Sequence, residues 1–242
     1  MKKTVLSIFL FCCFCHYANG QVLISLIFGD KLNSDKIEFG LEGGLVNSNI
    51  GEIDNAKRSN GFNLGFYFDF KLTEKSYIHT GVIVKSPLGT KNISPYSLGN
   101  ENLDILLQEA SIKRKLRYFN VPALFKYKLH KQFFIEGGVQ TGLLVKAFDE
   151  FSASVQKEDD LVFKNDIKDE ITTLDFGLVA GLGYRLIKGN GITIGVRYYG
   201  GLVDIQKNIN GMQQNNAFYF YAGIPIGVKK AQKNNTKKKS EL

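Results

Sequence analysis

Ten residues of this 242-residue chain combine ionisable chemistry with a regular setting: Glu38, Glu42, Asp69, His79, Lys85, Lys126, Glu136, Asp175, Arg185 and Arg197. Each stands in a stretch where apolar residues alternate with small or polar ones, and each falls on the small or polar side. Five carboxylates, four cations and an imidazole could do acid–base work, hold a cation, or neutralise one another in a low-dielectric interior. Motif spacing argues against the first two. After residue 20 there is no H-E-x-x-H, C-x-x-C or G-x-S-x-G, so neither a zinc site nor a nucleophile elbow is expected. Gly177, Gly181 and Gly183 do not have the G-x-G-x-x-G spacing, and no helix follows them to cradle a phosphate. His130 lies in a tight turn, and His79 is expected to hydrogen bond inside the fold near Lys85 rather than act as a base. In the acidic stretch 148–172, Glu158, Asp159, Asp160, Asp166, Asp169 and Glu170 offer oxygen ligands without D-x-D-x-D-G spacing. A solvated surface loop is expected there. No catalytic, cofactor-binding or metal residue is assigned, and the ten charged or polar residues are read as a structural network in which Arg185 and Arg197 are expected to pair with Asp175, Glu136 or Glu42.

The elements that must position them are strands. The longest signal is 173–203, where Leu174, Phe176, Leu178, Ala180, Leu182, Tyr184 and Leu186 alternate with Asp175, Gly177, Val179, Gly181, Gly183 and Arg185. After a Gly-Asn-Gly break, Ile192, Ile194, Val196 and Tyr198 alternate with Thr193, Gly195, Arg197 and Tyr199. A period of two on both sides of such a break is a hairpin, and its strands exceed those of ordinary soluble domains. The same pattern recurs from Lys36, over 61–70 and 78–85, near 116–128, over 133–146 and over 218–228. Leu103, Leu106, Leu107 and Ala110 have helical spacing and predict a short amphipathic helix.

Eight strands result, with connections alternating between long (48–60, 86–115, 148–172, 204–215) and short (71–76, 129–132, 187–191). The fold class expected is therefore all-β, an eight-stranded antiparallel up-and-down transmembrane β-barrel with long extracellular loops and short periplasmic turns. Glycine (25 residues) concentrates on the charged side of the strands, with Gly43, Gly137 and Gly200 the exceptions on the apolar side. An eight-stranded ring leaves an interior just wide enough for side chains, where glycine makes room for large charged groups. A wide diffusion porin is disfavoured. The alternative, an exported soluble lipocalin-like carrier of an apolar ligand, needs the faces inverted and would leave a glycine surface in water.

Residues 1–20, MKKTVLSIFLFCCFCHYANG, read as a cleaved signal peptide with a Lys2-Lys3 start, an apolar core and an Ala18-Asn19-Gly20 end. All three cysteines fall inside it, so the mature chain is expected to carry no thiol chemistry. Residues 21–35 are expected to form an N-terminal periplasmic or interfacial segment, 36–228 the barrel, and 229–242 a basic disordered periplasmic tail. The formal charge of +8 sits mainly in that tail, where six lysines face Glu241. Without the tail and the leader the body is near neutral, which disfavours a nucleic-acid groove. The expected partners are outer-membrane lipid and an envelope protein met by the basic tail, with the chain monomeric.

LISLIFGDKLNSDKIEFGLEGG (23–44), YFNVPALFKYKL (118–129), DFGLVAGLGYRL (175–186), GVRYYGGL (195–202) and FYFYAGIPIGV (218–228) resemble the PorT-type outer-membrane β-barrel proteins common in Bacteroidetes. The resemblance spans nearly the whole mature chain. It implies an eight-stranded outer-membrane barrel, mostly of unassigned function, with some relatives tied to secretion or assembly; the role expected of this chain is structural, assembly or interaction, and non-enzymatic. This chain departs from the pattern in ending its last strand on Val228 rather than an aromatic, and in the basic tail that follows.

Overall fold

Along residues 111–128 burial alternates at almost every step, because even-numbered side chains point one way and odd-numbered ones the other. Leu116, Tyr118, Asn120, Leu124 and Lys126 are buried, whereas Phe119, Val121, Phe125 and Tyr127 are exposed. An apolar face turned outward, with lysine and asparagine turned inward, is the inverse of a soluble β-domain. The same inversion holds elsewhere: Leu45, Phe62, Leu178, Leu182 and Phe220 are exposed, while Glu42, Glu136 and Arg197 are buried. That arrangement excludes the soluble carrier, whose apolar side must face inward.

The computed structural model describes residues 32–155, 159–186, 191–207 and 211–226. The leader, the stretch before Leu32, and the tail from 227 lie outside the described residues. Among the described residues nine strands and one α-helix are present: β1 (Ile37–Ile50), β2 (Lys57–Lys71), β3 (Ser76–Ile93), α1 (Glu101–Leu107), β4 (Ser111–Lys128), β5 (Phe133–Val155), β6 (Asp159–Asp166), β7 (Leu174–Arg185), β8 (Thr193–Gly201) and β9 (Asn215–Pro225). A 3-10 turn spans Lys168–Glu170. Eight strands close a ring of antiparallel neighbours, β1-β2-β3-β4-β5-β7-β8-β9, with β9 returning to β1. Closure leaves no unpaired edge within the ring, the condition for crossing a bilayer with strands. β6 stands outside the ring and pairs with the upper half of β5, Phe148 facing Asp166 and Val155 facing Asp159.

Two stretches expected as loops are thus partly strand. β3 runs on to Ile93, β4 begins at Ser111, and residues 148–155 pair antiparallel with 159–166 rather than lying in an irregular acidic loop. Their alternation is weaker because above the membrane both sheet faces carry polar groups. The helix forms as expected, capped by the Asn100 side chain, which accepts from the amides of Asn102 and Leu103. Leu107 and Ala110 pack under it against Ile112 and Phe151. Leu106, expected on the same face, points to solvent instead.

Two β-bulges alter the expected faces. Leu64 pairs with Lys85 and Gly65 with Ile83, which leaves Val84 without a partner on β2. Arg117 pairs with Lys146 and Tyr118 with Leu144, which leaves Val145 over. An extra residue shifts the alternation by one step. On β3 the inward set therefore changes from His79, Gly81 and Ile83 to Ser86, Leu88 and Thr90. Lys85, expected in the lumen, faces outward over the Phe62 ring, and Lys146 is likewise exposed.

Candidate functional site: a filled lumen

At the periplasmic end, Arg185 of β7 reaches Glu38 of β1 at 2.5 Å, and the Tyr67 hydroxyl donates to the same carboxylate at 3.1 Å. A pocket of about 230 Å³ opens beside them, bounded by Asn33, Lys36, Asp69 and Tyr77. Asn33 closes the seam of the ring: its side chain accepts from the Phe39 amide and donates to the Ile226 carbonyl.

The middle layer gathers six of the expected residues. Arg197 donates from Nε to Glu136 at 2.6 Å, and through Nη1 and Nη2 to both oxygens of Glu42 at 2.5 and 3.0 Å. Its Cζ lies 3.9 Å from the centre of the Tyr221 ring, whose hydroxyl donates to Glu136 at 2.8 Å. Lys126 bonds Asp69 at 3.1 and 3.2 Å and stands 3.9 Å from Glu136. His79 bridges the two halves, with Nδ1 2.6 Å from Asp69 and Nε2 3.1 Å from Arg197. A guanidinium only donates, so Nε2 must accept and the imidazole proton sits on Nδ1, aimed at Asp69. The histidine is thereby committed as a spacer between two ion pairs, with no free nitrogen for catalysis.

Glycines make the space for this layer. A Cβ on Gly181 would lie 2.7 Å from the Val196 carbonyl and 2.9 Å from Cγ of Arg197, and one on Gly195 would meet the Tyr221 ring at 2.6 Å. The side chains of Arg197 and Tyr221 therefore lie flat on bare backbone.

Asp175 belongs elsewhere. It was grouped with the acids expected to meet Arg185 or Arg197, yet it faces Gly142 at the opposite end of β7 from Arg185. Its partner is the amide of Asn215 at 2.9 Å, in a layer with Tyr118 and Tyr199. Above this the lumen turns apolar. Ile50, Leu88, Leu116, Leu144 and Ala147 from the strands meet Ile167, Ile171 and Ile205 from the long connections, all buried.

A further buried ion pair tops that plug, and composition gave little sign of it. Arg114 makes a two-pronged contact with Asp149 at 2.9 and 2.7 Å and donates to Gln206 at 2.8 Å. Tyr96 donates to Asp149 at 2.9 Å and accepts from Asn165 at 3.0 Å. Burial and the nearby Asp149 carboxylate push the Tyr96 phenol up to about 12. Arg114 and Tyr96 meet at this one carboxylate, and through them Gln206 and Asn165 join the cluster. The sequence signal was the cross-strand register, since Arg114 and Asp149 are direct partners on β4 and β5.

Among the described residues no group of three or more histidine, cysteine or carboxylate side chains is placed to hold a metal. Among the described residues no helix is long and apolar enough to cross a membrane.

A family model for the outer membrane protein β-barrel domain matches residues 29–207. No curated protein matches the chain at a significant level. Among solved structures, Ail, the attachment invasion locus protein of Yersinia pestis, is similar at 14% identity, covering 78% of this chain and 97% of that one with a TM-score of 0.41. Neisserial surface protein A is similar at 10% identity, covering 78% and 96% with a TM-score of 0.37. OprG of Pseudomonas aeruginosa is similar at 14% identity, covering 80% and 95% with a TM-score of 0.32. With its closed ring, outward apolar face and charged interior, the chain belongs to the outer membrane protein β-barrel domain family and resides in the bacterial outer membrane.

Proposed function

We propose that the protein is a non-conducting outer-membrane barrel with a structural, assembly or interaction role, acting through its loops and its periplasmic end. The observation that supports this reading is the filled lumen. Three successive layers, ionic, polar and apolar, occupy the ring, and Ile167, Ile171 and Ile205 lie across its outer end. An eight-stranded ring has little interior to spare even without such a plug. The reading is non-enzymatic and monomeric. Its finer form is a place in secretion or envelope biogenesis, suggested by the PorT-like sequence blocks, with the basic tail at 229–242 meeting a periplasmic partner.

Purified protein in planar bilayers is expected to leave the membrane at its lipid baseline. Stepwise conductance of porin size would overturn the sealed reading. Photo-crosslinkers placed in the 148–172 hairpin and in the 229–242 tail, in intact envelopes, are expected to give adducts from at least one site. No adduct from either would remove the interaction role.

A further inference from the structure

The outer wall of β3, β4 and β5 changes character along its height. On β4 the outward residues are apolar from Tyr127 up to Phe119, and then become Arg117, Lys115 and Lys113. From Tyr127 to Phe119 the strand rises about 27 Å. At a tilt of roughly 40° that is about 21 Å of height, close to the apolar band of outer-membrane barrels. The cations begin where acyl chains give way to headgroups.

Both bulges add to the same wall. Each falls at a Val-Lys pair, Val84-Lys85 on β3 and Val145-Lys146 on β5, and each aims its lysine outward. A groove of about 500 Å³ results, lined by Lys85, Lys113, Lys115, Arg117 and Lys146 with no carboxylate, and with Phe119 among its apolar lining. The register sharpens the imbalance. Arg117 stands directly opposite Lys146, and Lys91 directly opposite Lys113. Like charges so placed destabilise a sheet unless an anion lies between them. Glu150 meets part of the charge, at 2.6 Å from Lys115 and 3.9 Å from Lys164. On another part of the outer wall, Arg58 is taken up by Asn47 and Asn216.

We propose that this wall is a binding site for a phosphorylated lipid of the outer leaflet. Arg117 is suited to grip a phosphate with two parallel hydrogen bonds, and Lys85, Lys113 and Lys146 supply point charges around it. The acyl chains lie down the strand over Phe119 and Val121, which are 43% and 42% exposed. A lipid fits better than a soluble polyanion because the cations start at the edge of the apolar surface, so that one ligand engages both. The inference rests on the long connections facing outward and not on the sealed lumen, so conductance and lipid binding can fail separately.

The test uses full-length mature protein in zwitterionic nanodiscs at low salt, titrated with fluorescent bisphosphorylated lipid A and with its dephosphorylated counterpart. Wild-type protein is expected to prefer the phosphorylated lipid by about tenfold or more. The Lys113→Gln/Arg117→Gln/Lys146→Gln variant is expected to lose the preference, and Arg58→Gln to keep it. Heat-modifiable migration verifies folding. Should the triple variant not fold, Lys113→Gln and Lys146→Gln alone are each expected to reduce the preference severalfold. Equal binding of the two lipids by wild type, or an unchanged preference in folded variants, overturns the proposal. So does displacement by inorganic phosphate or a soluble sulfated polysaccharide at matched anion concentration, which would place the ligand in solution.

Discussion

The guanidinium of Arg197 spans the lumen to grip both oxygens of Glu42, although β8 and β1 are not hydrogen-bonded neighbours and β9 lies between them. The contact ties across the ring strands that the ladder joins only around its circumference. Removing one member strands the others: Arg197→Met leaves Glu42 and Glu136 facing each other with Lys126 as the remaining cation nearby. A loss of about 3–5 kcal/mol is expected, read as the urea midpoint in detergent. Adding Glu42→Gln and Glu136→Gln to that variant is expected to restore much of the loss. No recovery would mean that the guanidinium acts through packing alone.

Asp175 provides the contrast. It forms no ion pair among the described residues and takes its hydrogen bond from Asn215. Asp175→Asn is expected to shift the urea midpoint much less than Glu136→Gln, which takes one of two carboxylates from the buried Arg197 guanidinium at a cost of about 3 kcal/mol. Equal losses would contradict the layering.

The two faces of β7 differ in tolerance. Gly181→Leu drives a side chain into the Val196 carbonyl and Arg197, whereas Leu182 is 59% exposed on the lipid side. Gly181→Leu is expected to abolish the heat-modifiable band, and Leu182→Ala to retain it. Equal tolerance of both would reverse the face assignment.

Arg114 holds the outer end together. Arg114→Ala leaves Asp149 buried without its cation and frees Gln206. Local opening costs about 3 kcal/mol less in the variant. Proteinase K added to whole cells is therefore expected to cut the 94–110 and 202–214 connections faster, with the barrel fragment still heat-modifiable. Unchanged cleavage would show that the apolar plug alone holds these segments.

A mild pH response is expected in the α1 loop. Hydrogen bonds from the Ser97 hydroxyl and the Leu98 amide, at 2.6 and 2.7 Å, hold the Asp104 carboxyl below its usual range. A lowered folded value means that the contribution is complete above the unfolded carboxylate value, about 4, and is lost as pH falls through the folded one. Exchange protection of the Leu98 amide, corrected for intrinsic rate, should fall below about pH 4 in wild type and stay flat in Asp104→Asn.

The closed ring was legible because alternation is enforced wherever one face meets lipid. Phe62 to Phe70 and Phe119 to Tyr127 could hardly be read otherwise. The partners of Glu42, Glu136 and Arg197 followed from their place on the glycine side. Lys85 was misplaced because a bulge has no side-chain signature: one extra valine inverts the faces with no break in the hydrophobic pattern. Asp175 was misassigned because alternation specifies a face and not a height, and height depends on the stagger between strands. The Arg114–Asp149 pair was hidden because it joins connections whose strand character weakens once the chain leaves the membrane.

The walls of the ring are unequal: β5 has 23 residues and β4 has 18, whereas β8 has 9 and β9 has 11. Molecules on the cell surface therefore meet a parapet on one side and a low sill on the other. Judged by strand length among the described residues, a large partner comes level with Ile205 most directly from the β8–β9 side. That asymmetry gives a nominally round protein a front and a back, and fixes how it must turn among its neighbours in a crowded membrane.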